Sequence, residues 1–347
     1  MIREIGSEFE LAETAGRAAR AEAPDGGDAC FVFSGRTAIE TVLRDAGCSG
    51  TAALPSYCCA SMIEPFRKQG MQVVFYPVRE ENGLSVRWDE VPEDCGAILA
   101  CDLFGFGPVR IPGEIADRVR RNGGAVIGDV THSLLSENGS RPECDYLVGS
   151  LRKWFPLLSG GLAVKNRGCF REKPDAEPDE AFSETRYEAM RLKKAYLDRG
   201  EGDKQAFLSL YGKANGWLAE HYTGRAMDRR SLEILGGTDR RAVRERRIRN
   251  AEALYEGLEG CPGIRTLFPP GAMDCPLFVP VLAEPETRDR LRQALIRGGI
   301  YCPVHWPRPE EACRSNLYDT ELSLICDQRY DGEDMRRLTD AVRAVLA

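Results

Sequence analysis

The stretch GSLRKWFPLLSGG (Gly149–Gly161) contains one of the chain's eight lysines, against 39 arginines in 347 residues. A chain that supplies its positive charge with arginine has a reason to keep a lysine where it does. Lys153 lies in an apolar, Gly-bounded segment, between a strand-like run and Trp154–Phe155. Arginine stays protonated in proteins, whereas a lysine drawn out of water becomes a neutral amine nucleophile. An ordinary surface lysine paired with a carboxylate fits this segment equally well, so the rest of the chain has to decide.

The length is enough for one large and one smaller domain. With 43% apolar and 29% charged residues, the composition is that of a water-soluble globule. A net charge of −7 argues against nucleic acid or an anionic membrane as the main partner. The basic run RRAVRERRIRN (Arg240–Asn250) is interrupted by Val243, Glu245 and Ile248 at helical spacing and reads as a solvated helix face. No apolar run reaches membrane length, and the opening MIREIGSEFELAET lacks a signal-peptide pattern. The thirteen cysteines are scattered without a CxxC pair, which suits reduced thiols used as small hydrophobes in a cytoplasmic protein. The three histidines (His132, His221, His305) are not at ligand spacing, so no metal is expected. Neither a P-loop nor GxGxxG, HExxH or GxSxG occurs, which removes the common nucleotide and hydrolase readings.

Working outward from Lys153, the first half alternates short apolar runs with helical patterns. FVFSG, TAALP, MQVVFYPV, AILACDLFG, AVIGDV, DYLVGSL and GLAV are strand-like, with helical segments between several of them. This order predicts an α/β fold, a mostly parallel sheet with helices on both faces, whose ligand lies outside the carboxyl ends of the strands. Residues 1–235 are expected to form a large domain, with 170–235 a helical excursion. Residues 236–347 are expected to form a small C-terminal α+β domain.

Three features fall at the carboxyl ends of candidate strands. SGRTA (Ser34–Ala38) is a small-residue turn opening a helix, a plausible seat for a phosphate. Asp129 ends an otherwise apolar strand, where a carboxylate is costly unless it meets a cation. The third is Lys153, with Ser150 three residues before it. One cofactor, pyridoxal 5′-phosphate (PLP), uses all three: a lysine for the imine, an acid for the pyridine nitrogen and donors for the phosphate.

The series SGRTAIE, PSY, GDVTHSLL, GSLRKW, SGG, RRIRNAEAL, GIYCPVHWP and LSLICDQRY resembles the fold-type-I PLP enzymes, and among them the DegT/DnrJ/StrS-type aminotransferases. The resemblance covers residues 30–165 and 240–347. It implies Lys153 as the imine-forming lysine, Asp129 as the pyridinium partner and His132 as a neighbour of the ring. It further implies Gly35, Arg36, Thr37 and Ser150 around the phosphate, with Cys59 or Tyr57 stacking on the ring. Arg329 and the His305–Trp306 pair are nominated toward substrate. The activity implied is transfer of an amino group from an amino acid, glutamate foremost, to a carbonyl acceptor such as a nucleotide-sugar, in a homodimer. Another fold-type-I reaction, a lyase or decarboxylase, or a non-catalytic PLP-binding regulator, stays open. The three-residue step from Ser150 to Lys153 is shorter than the family's usual spacing, and the family's middle motif is missing from 170–235.

Overall fold

The computed structural model describes residues 4–12, 27–81, 83–107, 109–137, 141–310 and 315–347. Its centre is a seven-stranded sheet: β1 (Asp28–Val32), β2 (Thr51–Pro55), β3 (Gln72–Tyr76), β4 (Cys95–Cys101), β5 (Ala125–Asp129), β6 (Tyr146–Ser150) and β7 (Gly161–Lys165). The spatial order is β1-β7-β6-β5-β4-β2-β3. All neighbours are parallel except β7, which runs antiparallel to both β6 and β1. Every residue of β4, CGAILAC, is buried, as expected for a central strand covered on both faces.

The layers come from the crossovers: α1 (Gly35–Ala46), α2 (Ala60–Lys68) and α3 (Gly113–Arg121). Ser34 caps α1, its hydroxyl accepting from Thr37 N at 3.2 Å, and Gly47 ends the helix in the left-handed region at φ 67°. Because β1, β5 and β6 run the same way, Ser34, Asp129 and Ser150 reach the same edge of the sheet.

The segment after the sheet contains three helices, α4 (Glu180–Arg199), α5 (Lys204–Glu220) and α6 (Arg229–Gly237), with α4 and α5 packed as a hairpin. The long α7 (Arg240–Leu258) leads to a three-stranded antiparallel sheet, β8 (Arg265–Thr266), β9 (Phe278–Leu282) and β10 (Glu321–Ile325). Helices α8 (Pro285–Arg297) and α9 (Gly332–Leu346) pack with α7 against this sheet around Leu254, Val279, Leu291, Leu324 and Leu338. Ile5 joins that core, because Ile5–Gly6 pairs in parallel with Ile300–Tyr301. The fold is thus mixed α/β, with a large mostly parallel sheet flanked by helices and a smaller C-terminal α+β body.

In α7 the basic run is not wholly solvated. Arg247 is 1% exposed, its guanidinium 4.4 Å from the centre of the Trp154 ring. It donates to Leu277 O and Gln328 Oε1, so packing and polar partners draw one arginine of the run inward. All twelve described cysteines are unbridged. Among the described residues no helix is long and apolar enough to cross a membrane.

Candidate active site

A cavity of about 570 Å³ opens at the carboxyl ends of β1, β5 and β6. Ser34, Asp129, His132 and Lys153 line it from the large sheet. His305, Trp306 and the N-terminal segment Ser7–Phe9 line it as well.

Lys153 follows β6 on a single 3-10 turn, Leu151–Lys153. The next two residues anchor it, since Trp154 and Phe155 are buried and Trp154 Nε1 donates to Thr131 O at 2.6 Å. Gln328 Nε2 donates to Trp154 O at 2.6 Å, tying this turn to the C-terminal body. Lys153 Nζ lies 3.1 Å from His132 Nε2. The other ring nitrogen, His132 Nδ1, accepts from Phe104 N at 3.1 Å, which puts the single proton of a neutral imidazole on Nε2. Burial, with Lys153 and His305 adding to it, holds His132 well below the usual histidine range, so the neutral ring is the stable form. The Nε2 edge of the His132 ring thus faces Lys153 Nζ at the floor of the cavity.

Asp129 ends β5, 6% exposed, and its Oδ1 accepts from Thr131 N at 2.8 Å. Burial raises its carboxyl above the usual range against the opposing pull of Thr131 and Lys153. A carboxylate desolvated to this degree and open to a cavity fits a cationic heterocycle nitrogen.

At the first turn of α1, where backbone N–H groups have no intrahelical acceptor, Ser34, Gly35 and Arg36 line the cavity. Ser150 lines it opposite, and its hydroxyl has no partner among the described residues. The approach is close: a Cβ on Gly35 would lie 3.3 Å from Ser150 Cβ, and one on Gly161 would lie 2.1 Å from Ser34 O. The SGG glycine at 161 is what lets β7 pass beneath the turn. Thr37, expected at the phosphate, does not reach the cavity. It is 0% exposed, its amide is taken by Ser34 Oγ, and its hydroxyl donates to Tyr222 O at 2.9 Å, so it serves the helix cap.

Tyr57, expected as a ring-stacking residue, is likewise elsewhere. It is 0% exposed and packs against Trp306 and Tyr318, with ring centres 5.0 Å apart in each case. Cys59 does line the cavity, its Sγ 2.9 Å from Ser61 Oγ. The aromatic wall comes from Trp306, stacked on His132 at 5.6 Å and 5.7 Å from Lys153 Nζ. Arg329 lines the cavity, yet its guanidinium is bound to Asp327, Glu10, Ser7 O and Glu8 O. Five donors shared among these acceptors clamp the N-terminal segment and leave little for a substrate carboxylate.

Two features were not legible beforehand. One is the N-terminal strap, where Glu8 pairs with buried Arg186 at 2.9 Å and accepts from Asn215. Burial works to raise the Glu8 carboxyl, but Arg186, Arg152 and Asn215 outweigh it and hold it at about 2. The other is Arg152, which lines the cavity with Nη1 buried and without a hydrogen-bond partner among the described residues. Burial and then Arg186 disfavour its charge. The only advance signal for Arg152 was its place beside Lys153.

No protein-family profile matches the chain, and no curated protein matches it in sequence. Solved structures do match. Spr1654 from Streptococcus pneumoniae, designated a candidate sugar aminotransferase and solved in its PLP form, aligns with TM-score 0.66 at 14% identity, over 99% of this chain and 98% of that one. The chain shares the fold of that structure. Helicobacter pylori PseC, an aminotransferase of pseudoaminic acid biosynthesis, aligns over 99% of both chains with TM-score 0.63 at 14% identity. The aminotransferase TlmJ from Streptoalloteichus hindustanus aligns with TM-score 0.62 at 18% identity, over 92% of this chain and 86% of that one. At these identities the likeness is one of fold, and the chemistry has to be argued from the cavity.

Proposed function

We propose that the chain is a PLP-dependent aminotransferase that carries an amino group from an amino acid, glutamate foremost, to the carbonyl of a sugar. The observation that carries this reading is the Lys153–His132 contact at 3.1 Å beside buried Asp129, in a cavity that also holds an open helix N-terminus. The donor set fits the cofactor: an amine, a desolvated carboxylate, and backbone and hydroxyl donors for a phosphate. Lys153, Asp129, His132, Ser150 and the Ser34–Arg36 turn would hold it, with Trp306 and Cys59 along the wall. When bound, PLP supplies the electron-withdrawing ring on which the amino group is exchanged.

The remaining work falls to side chains of this protein. Asp129 offers a negative charge to a protonated ring nitrogen and, being buried, loses little of it to water. His132 Nε2–H orients Lys153 Nζ, and the same Nζ takes up and returns a proton within the cavity. Trp306 and Phe278 exclude water from one side. The same reading includes a homodimer in the cytoplasm, with the body of residues 1–235 holding the cofactor and residues 236–347 closing the cleft.

The test is the visible spectrum of the purified protein with added PLP, wild type against Lys153→Ala, followed by glutamate. A Lys153-dependent band that glutamate bleaches is expected. A band that no amino acid donor changes would move the protein to another PLP reaction or to a sensor. No Lys153-dependent band at all would remove the cofactor from the reading.

A further inference from the structure

Behind the cavity wall lies a buried polar line that the reading above does not use. His305, 6% exposed, lines the cavity, and its Nδ1 is 2.7 Å from Ser323 Oγ. Ser323, 0% exposed, donates its hydroxyl to Glu321 Oε1 in a short hydrogen bond. Glu321, 1% exposed, also takes the His305 backbone N–H on Oε2 at 2.7 Å. His305 Nε2 has no partner among the described residues. The His305 ring stands edge-on to His132 at 5.3 Å and packs on Phe278 at 4.8 Å and Phe104 at 5.7 Å.

We propose that Glu321, Ser323 and His305 form a proton relay that lets His305 exchange a proton with a substrate hydroxyl or carbonyl oxygen in the cavity without the imidazole becoming charged. With Glu321 ionised, Ser323 O–H donates to Oε1, His305 Nδ1–H donates to Ser323 Oγ, and Nε2 offers a lone pair to the cavity. When a proton arrives, an Nε2–H bond forms and the Nδ1–H bond breaks. The released proton goes to Ser323 Oγ, and the proton Ser323 held passes to Glu321 Oε1. One proton has entered, it ends on a carboxyl, and the ring is neutral before and after. A lone histidine in this place could not do this, since burial and then Lys153 keep His305 well below the usual range for a charged ring.

The store at the far end is matched to neutral pH. Burial pushes the Glu321 carboxyl up to about 8, against the His305 amide, Ser323 and Arg288, which favour its charge. Arg288 reaches the backbone rather than the carboxyl, donating to Glu321 O at 3.2 Å. Tyr57 and Cys302 also face Glu321, and their own acids are raised by burial and by its charge. Below about pH 8 the relay therefore presents Nε2–H, a donor, and above it a lone pair.

The relay acts for the aminotransferase reading but is measurable apart from it. The chain has only three histidines, so the ring nitrogens of 15N-histidine-labelled full-length protein, with and without PLP, are assigned by His132→Gln and His221→Gln. His305 is expected to stay neutral from pH 6 to 9.5 and to pass from the Nε2–H to the Nδ1–H tautomer near pH 8. Glu321→Gln and, separately, Ser323→Ala are expected to leave one tautomer throughout. A His305 that becomes imidazolium, one that never changes tautomer in the wild type, or a switch surviving both substitutions would overturn the relay. In turnover, His305→Gln is expected to slow the half-reaction by about a hundredfold, and Glu321→Gln to remove the pH dependence near 8. A tautomer switch without transamination of any donor would defeat the aminotransferase reading alone. Transamination without a switch would defeat the relay alone.

Discussion

Asp102→Asn tests how the loop that carries His132 is held. Asp102, just beyond β4, and Arg141 are 4% and 2% exposed at their side chains and form a direct buried ion pair. Asp102 also accepts from Ser133 Oγ at 2.6 Å and Val109 N at 2.7 Å, so one carboxylate ties the residue after His132 to the segment that follows β4. Asparagine keeps the shape and one acceptor but removes the negative member of the buried pair. Removing one member of a buried pair costs about 3–5 kcal/mol. Burial raises the Asp102 carboxyl despite Arg141 and Ser133, a sign that the pair does not fully repay desolvation, so the lower end, about 3 kcal/mol, is expected. With a urea slope of about 3 kcal/mol/M, the unfolding midpoint falls by about 1 M. Asp102→Leu combined with Arg141→Met removes both charges and should be less damaging than Asp102→Asn alone. A single substitution that changes stability by under about 1 kcal/mol, or a double one clearly worse than it, would refute the argument.

Three further outcomes are expected. Gly161→Ala sets a Cβ 2.1 Å from Ser34 O and must push the α1 turn off the strand, weakening PLP binding by about a hundredfold in a spectral titration. Glu8→Gln removes a carboxylate held at about 2, so its stabilising share is present above pH 4.5 and fades as pH falls toward 2. Because that carboxylate is 35% exposed, screening limits the loss to about 1–2 kcal/mol, constant from pH 5 to 8 in denaturant melts. Glu321 has the opposite sign: a folded value raised to about 8 makes wild-type stability fall between pH 4.5 and 8. Its share of the slope is about 1.4 kcal/mol per pH unit, and Glu321→Gln should flatten the curve over that range.

The sheet was readable because its strands are short apolar runs; Asp129 and Ser150 close two of them, and Ser34 lies two residues past the end of a third. Lys153 and Asp129 stood out as charges in apolar surroundings, a contrast visible without coordinates. What failed were residues of the right type one position away from the right direction. Thr37 sits on the inner face of α1, where the cap and Tyr222 claim it. Tyr57 turns beneath the wall that Trp306 forms. Arg329 was identified as an arginine near the cleft, but apart from Asp327 its partners come from residues 7–10, a pairing across more than three hundred positions that no local pattern announces. Arg247 and the Glu321–Ser323–His305 line were hidden for the same reason, since their meaning lies in contacts between distant elements.

The parallel pairing of Ile5–Gly6 with Ile300–Tyr301 sets a timetable for synthesis. The first strand leaves the ribosome nearly three hundred residues before its partner. At about 5–20 residues per second that is a wait of roughly 15–60 s, with Ile5 unshielded. The seven-stranded sheet needs only residues up to 165 and can form during this interval. The strap that borders the cavity cannot be fastened until the last elements emerge. A nascent chain stalled before residue 300 would therefore carry the lysine and its sheet but an unfinished pocket, open to solvent and to any chaperone that binds exposed apolar ends.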